Sequence, residues 1–224
     1  MYSPALAPIN LVVFRLEDVC VRIQEDLRNF PRTAALEKQP EVETIFRWLH
    51  RRGVRIVLLA DAEREDAVTI LGRLGWAVGE EELVQRLVAE QQVIADPVRR
   101  MLDLEGLERG DGVCCVFDTP RLLRLAAANK LCVKLGVLNG SHAYGELVGA
   151  PADQLLDQLV QLPNYLLERV PELSYLAPLP NPAPASAPAS SATTRRLQFL
   201  PRSLNGYLND REIQMVNRLR GFRH

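Results

Sequence analysis

Ile9-Asn10-Leu11-Val12-Val13-Phe14-Arg15-Leu16-Glu17-Asp18 decides how the rest of the chain is read. Its first six residues are mostly apolar and rich in β-branched side chains. That is the composition of a parallel strand buried on both faces. Arg15, Glu17 and Asp18 then follow within four positions, at the end where such a strand leaves its sheet.

Outward from this strand the pattern repeats. Residues 17–30 predict a short helix or an irregular crossover, and Pro31 and Pro40 limit regular structure between them. Glu41 to Arg52 reads as a helix with Val42, Ile45, Phe46 and Leu49 on one face, and Gly53 closes it. Val54 to Leu59 is a second strand. Asp61 to Leu74 is a helix closed by Gly75. Glu80 to Ala89 and Val98 to Leu107 are two more helix candidates, the second closed near Gly110. Gly112 to Phe117 is a strand ending at Asp118, Pro120 to Asn129 is helical, and Leu131 to Val137 is a further strand. Residues 152–162 make a last amphipathic segment through Leu155, Leu156, Leu159 and Leu162. Strands alternating with helices predict an α/β domain with a central parallel sheet flanked by helices.

The composition changes after residue 177. Residues 178–194 are rich in Pro, Ala and Ser and predict a flexible linker. Residues 195–224 regain apolar content and carry seven arginines against Asp210 and Glu212. Asn209 and Glu212 have the spacing of a capping box for a short helix lined by Ile213, Val216 and Leu219. Thirty residues cannot build their own core. The tail is therefore expected to dock on its own domain, on a twin subunit or on another partner.

The formal net charge of -1 gives no global attraction to nucleic acid or anionic membrane. Trp48 and Trp76 read as packing residues, not as a stacking platform for bases. Cys20, Cys114, Cys115 and Cys132 sit in apolar runs without a CxxC pair, and His50, His142 and His224 are scattered. Buried free thiols in a reducing cytoplasm are the plain expectation, and a zinc site is disfavoured. No apolar run approaches the length of a membrane span. The amino terminus lacks the pattern of a secretory signal, which predicts a cytoplasmic protein.

Val12-Val13-Phe14-Arg15-Leu16-Glu17-Asp18, the stretch Pro40 to Asp61, Val116-Phe117-Asp118-Thr119-Pro120 and Gly136-Val137-Leu138-Asn139-Gly140-Ser141-His142 occur in this order. Leu147 to Pro163 follows and looks like an "ELxxxxAD…LxxLP" close, with Asp153 and Pro163 at its expected positions. In order and spacing these stretches resemble the haloacid-dehalogenase superfamily, especially its phosphatase and phosphonatase-like members, over residues 9–170. The resemblance implies a Rossmann-like core. Only about 25 residues separate the first strand from the helix near Glu41, so the cap is expected to be minimal. No cap lysine for an imine mechanism is evident, Lys38 being a weak candidate.

The resemblance also implies where phosphatase chemistry would sit, and the residues there depart from it. A carboxylate nucleophile is expected at the end of the first strand, with an acid/base carboxylate two residues on. This chain has Arg15 and Glu17. A guanidinium stays protonated and cannot attack phosphorus. The phosphoryl-binding Ser or Thr of the second motif is Ala60. In the third motif no basic residue fits cleanly, and Arg99 and Arg100 lie out of register. In the fourth, Asp118 matches the first acidic residue, but Leu122 stands where many relatives have another aspartate. Mg²⁺ would miss one of its main oxygen ligands. Arg15 is expected to pair with Asp118, and with Glu17 as a further partner, replacing the charge of the ion. Two other readings of Asp118 stay open: the cap of the helix opening near Pro120, and a metal ligand together with Glu17. Asn139, Ser141 and nearby amides could hold an anion weakly.

These positions give no confident catalytic residue and no expected cofactor. The leading expectation is a non-catalytic protein-interaction or scaffolding module. Its tail would offer Leu197, Phe199, Leu200, Tyr207, Leu208 and Ile213 as anchors for a protein partner or a second copy. The alternative is a divergent metal-dependent phosphate-ester hydrolase in which Glu17, Asp18, Asp61 and Asp118 gather Mg²⁺.

Overall fold

The first strand, β1 (Leu11–Arg15), is buried at every position. In the computed structural model it lies in the middle of a six-stranded sheet, between β4 (Arg55–Leu59) and β6 (Val113–Phe117). The structure describes residues 8–23, 34–89, 95–138 and 144–174. The linker, the tail and the loop containing Asn139, Ser141 and His142 lie outside them.

The sheet runs β5-β4-β1-β6-β7-β8, and every pairing is parallel. Here β5 is Arg86–Val88, β7 is Val133–Val137 and β8 is Gln154–Leu156. Alternate residues of β1 point to opposite faces. Val12 and Phe14 join one core cluster, with Ile45, Phe46 and Leu49 of α1 (Val42–His50) and Ile70 and Leu71 of α2 (Arg64–Leu74). Leu11 and Val13 join the other, with Val98, Met101 and Leu102 of α3 (Pro97–Leu104) and Leu122, Leu123 and Ala126 of α4 (Pro120–Ala128). The short α5 (Tyr144–Val148) adds Leu147 to the second face, and α6 (Leu162–Arg169) adds Leu162 and Leu166 to the first. This is the expected α/β, Rossmann-like core, with helices covering both faces of a parallel sheet.

Several expectations need correction. Residues 80–89 are not helical. Residues 86–88 form the edge strand β5, paired with Val57–Leu59. Leu87 packs on one face of the sheet and Val88 on the other, a period of two that the three glutamates at 80–82 obscure. The amphipathic segment at residues 152–162 is not a single element. It contains β8, a 3-10 turn at Leu159–Gln161 and the first residue of α6. Leu155 and Leu156 again face opposite layers. Beyond β1 the chain makes a tight turn and enters β2 (Val21–Ile23), which pairs antiparallel with β3 (Leu36–Lys38). Among the described residues, 17–23 form this turn and strand and no helix, and residues 24–30 of the expected helix or crossover lie outside them. Gly106, at φ 68°, stands one residue past the C-cap Glu105 of α3, and Leu107 N–H donates to the Leu102 carbonyl at 2.8 Å. It ends that helix in place of Gly110. Gly110 instead permits a close approach of two chain segments, because a Cβ there would meet the Leu131 backbone at 2.6 Å.

Candidate functional site: the carboxyl ends of the central strands

The chain adds β4 and β5 to one side of β1, then β6, β7 and β8 to the other. The crevice of an open α/β sheet lies where the strand order reverses, outside the carboxyl ends. Leu59 is in register with Arg15, and Val116 with Phe14. The residues just past β1, β4 and β6 therefore meet there. Arg15, Glu17, Ala60 and Asp118 are the positions that the sequence singles out, and the sheet brings them together.

Arg15 organises the site. Its Nη1 donates to Asp118 Oδ1 at 2.8 Å and Oδ2 at 2.9 Å. The same nitrogen lies 3.2 Å from Asp18 Oδ2. Nε and Nη2 both donate to Asp61 Oδ2, at 3.1 and 2.8 Å. Arg15 is 8% exposed and Asp118 fully buried. Charge-assisted bonds of this kind are strong and directional. Burial acts to lower the guanidinium pKa, but Asp118 and Asp61 more than offset it and hold the group above its ordinary value. The expected Arg15–Asp118 pair is present. Asp61 and Asp18, read in the sequence as metal ligands under the hydrolase alternative, are partners of the same cation. Their signal was adjacency: Asp61 lies two positions past β4, and Asp18 three past Arg15.

Glu17 does not join the guanidinium. Asp18 has a left-handed φ of 62°, and the turn after β1 leads Glu17 to the loop beyond β4. There the Asp61 N–H donates to both carboxylate oxygens at 3.0 Å, and the Ala62 N–H donates to Oε1 at 3.0 Å. Burial raises the Glu17 pKa above 4.5, against the lowering effect of these N–H groups. An acid with a raised folded-state pKa contributes stability that is fully present below its unfolded value and lost as pH rises through its folded value. The urea midpoint of the wild type is therefore expected to fall relative to Glu17→Gln as pH climbs from 4.5 upward. A midpoint difference moving the other way would contradict this placement.

Asp118 is not the helix cap considered for it. The Thr119 side chain accepts the Leu122 N–H at 3.3 Å and caps α4, with Pro120 in its first turn. Ala60 offers no side-chain polar group, and its N–H is committed to the Val88 carbonyl at 3.0 Å. Arg99 is turned away from the site, donating to Asp103 at 2.8 Å and to the Glu108 carbonyl at 3.1 Å. Lys38 pairs with Glu43 beside Trp76, whose Nε1 donates to the same glutamate at 3.0 Å. Cys20 lies buried behind Glu17 and Asp118. Burial and those two charges raise its thiol pKa well above the ordinary value.

Mg²⁺ is the ion the sequence resemblance implies, and the residues present do not fit it. A cationic side chain stands where a carboxylate ligand would be needed, and both Asp118 oxygens accept from that cation. Among the described residues no group of three or more His, Cys, Asp or Glu side chains is arranged to hold a metal.

An open parallel sheet in this strand order, with acidic and basic residues meeting just past β1, β4 and β6, is the haloacid-dehalogenase-like fold. Solved structures share it. A protein described as a predicted phosphatase from Clostridium acetobutylicum matches with a TM-score of 0.59 and 14% identity, over 72% of this chain and 100% of its own. A haloacid dehalogenase-like family hydrolase from Streptococcus pneumoniae matches at 0.56 and 12%, over 70% and 98%. The cobalt-bound deoxy-D-mannose-octulosonate 8-phosphate phosphatase from Haemophilus influenzae matches at 0.53 and 11%, over 74% and 91%. No family model matches the chain, and no curated protein matches it. The likeness is one of fold. Among the described residues no helix is long and apolar enough to cross a membrane.

Proposed function

We propose that this chain is a non-catalytic interaction module on a phosphatase-type scaffold. The observation that carries the reading is the guanidinium of Arg15, bound at once to Asp118, Asp61 and Asp18. It supplies positive charge where catalysis would need a nucleophilic carboxylate. Productive contacts then fall to the surface and to the tail, where Leu197, Phe199, Leu200, Tyr207, Leu208 and Ile213 are the anchors suggested by sequence; they lie outside the described residues. A tethered motif gains local concentration from a flexible linker. A partner captured from host lysate by the full chain, and lost when Phe199, Tyr207 and Ile213 are all changed to alanine, supports the reading. Capture of no specific partner by the wild type argues against it.

A second reading is a divergent metal-dependent phosphate-ester hydrolase. Two observations favour it: the fold is shared with structures described as phosphatases, and Asp118, Asp61 and Asp18 surround Arg15 at the strand ends. It requires Arg15 to give up Asp118, and measured turnover separates it from the first.

A further inference from the structure

Two arginines stand over aromatic rings where α1 and α6 pack against each other. Arg52, just past α1, has its guanidinium carbon 4.2 Å from the centroid of the Trp48 ring. Arg169, at the end of α6, stands 5.3 Å from that of Tyr165. The main chain joins the two stacks. Arg52 Nε donates at 2.6 Å to the carbonyl of Leu173, in the 3-10 turn Pro171–Ser174 beyond α6, and Nη1 donates to the Trp48 carbonyl at 3.1 Å. These bonds orient the cation without supplying it a negative charge. Elsewhere Arg15, Arg55, Arg86 and Arg99 each pair with a carboxylate. Among the described residues Arg51, Arg52 and Arg169 form no ion pair, although Glu168 and Glu172 lie close in sequence. Burial and the like charge of Arg51 instead hold the Arg52 guanidinium below its ordinary pKa.

We propose that this α1–α6 face, built from Trp48, Arg51, Arg52, Tyr165 and Arg169, is a docking surface for a carboxylate-rich segment of a partner protein. Trp, Tyr and Arg are the residue types in which interface binding energy concentrates. Arg51 and Arg169 are exposed, and Trp48 and Tyr165 half-buried. The Arg52 fork is oriented in advance by its two main-chain bonds, so it loses little freedom on meeting a carboxylate. Nucleic acid fits less well. Each ring packs on the core and already carries a guanidinium, so neither is offered to a base as a stacking platform. With net charge -1 and a basic tail, the rest of the chain is acidic overall, and its field does not gather a phosphate backbone. The inference deepens the interaction-module reading: it gives the module a surface apart from the tail, and it rests on that reading only for the existence of a protein partner.

The test is titration of the isotope-labelled full chain with a decaglutamate peptide at low ionic strength, followed through amide and indole resonances. Saturable shifts are expected at the Trp48 indole and at the Arg51, Arg52 and Arg169 amides, and they should fade as sodium chloride is added. Arg51→Glu combined with Arg169→Glu changes two exposed side chains and keeps Arg52. It is expected to weaken the Kd at this face by roughly tenfold. Should that variant fail to fold, Arg51→Gln with Arg169→Gln takes its place, and a weaker Kd is again expected. The tail carries seven arginines of its own, so shifts confined to residues 195–224 overturn the proposal. A folded double variant that binds as tightly as the wild type overturns it too. So does an oligothymidylate of equal charge that shifts the same resonances at lower concentration, which would make the face a nucleic-acid site. No shift at α1 or α6 would defeat this inference alone. Asp118-dependent turnover of a phosphate ester would defeat the non-catalytic reading and leave a peptide-binding face standing.

Discussion

Arg15→Ala is expected to cost about 3–5 kcal/mol of unfolding free energy, because it leaves buried charge without its partner. Asp118 is fully buried, and its two oxygens accept from Arg15 at 2.8 and 2.9 Å. Without the guanidinium, Asp118, Asp61 and Asp18 face one another at the ends of three strands, and like charges this close disfavour the ionised forms. The loss is expected in urea unfolding at neutral pH. Adding Asp118→Asn to Arg15→Ala should recover part of it, with a coupling of about 0.5–3 kcal/mol as found for contacting residues. An Arg15→Ala protein as stable as the wild type, beside a destabilised Asp118→Asn protein, would mean that the cation does not organise the site.

Phe46→Ala carries the next largest effect, about 3–5 kcal/mol. Phe46 is fully buried on α1, its ring 5.2 Å from that of Phe14 on β1 and 5.4 Å from that of Trp76. The pair fixes α1 against the central strand immediately before Arg15. Truncation opens a cavity under the strand whose end carries the site. Chemical denaturation should show the loss, and the amides of Arg15 and Leu16 should exchange faster with solvent. A change below about 1 kcal/mol would mean that the neighbouring side chains refill the space.

Much of this was legible in the sequence because the central strands are buried on both faces. Continuous apolar runs such as Leu11 to Phe14 and Val113 to Phe117 have few other readings, and the charged residues that follow mark where they leave the sheet. The Arg15–Asp118 pair was legible through the resemblance, which sets the two positions at neighbouring strand ends. The edge strands were not legible. β5 and β8 have three residues each, too few for a period of two to emerge. The spacing of Leu155, Leu159 and Leu162 imitates a helix although Leu155 belongs to a strand. The destination of Glu17 was hidden for another reason. Its partners are backbone N–H groups, which carry no side-chain signature, and the left-handed turn at Asp18 sends it there. Asp61 reads in the sequence as the start of a helix, and α2 begins three residues later. Those three residues are the loop that lets Asp61 reach Arg15 and presents its N–H to Glu17.

Whether a crevice centred on Arg15 can transfer a phosphoryl group separates the interaction module from the hydrolase. The direct measurement is hydrolysis of an unselective aryl phosphate monoester by the full chain with Mg²⁺ or Mn²⁺, compared with Asp118→Asn purified in parallel. No turnover above that of Asp118→Asn is expected. Wild-type turnover that requires the divalent ion and disappears in Asp118→Asn would contradict the account and establish the hydrolase.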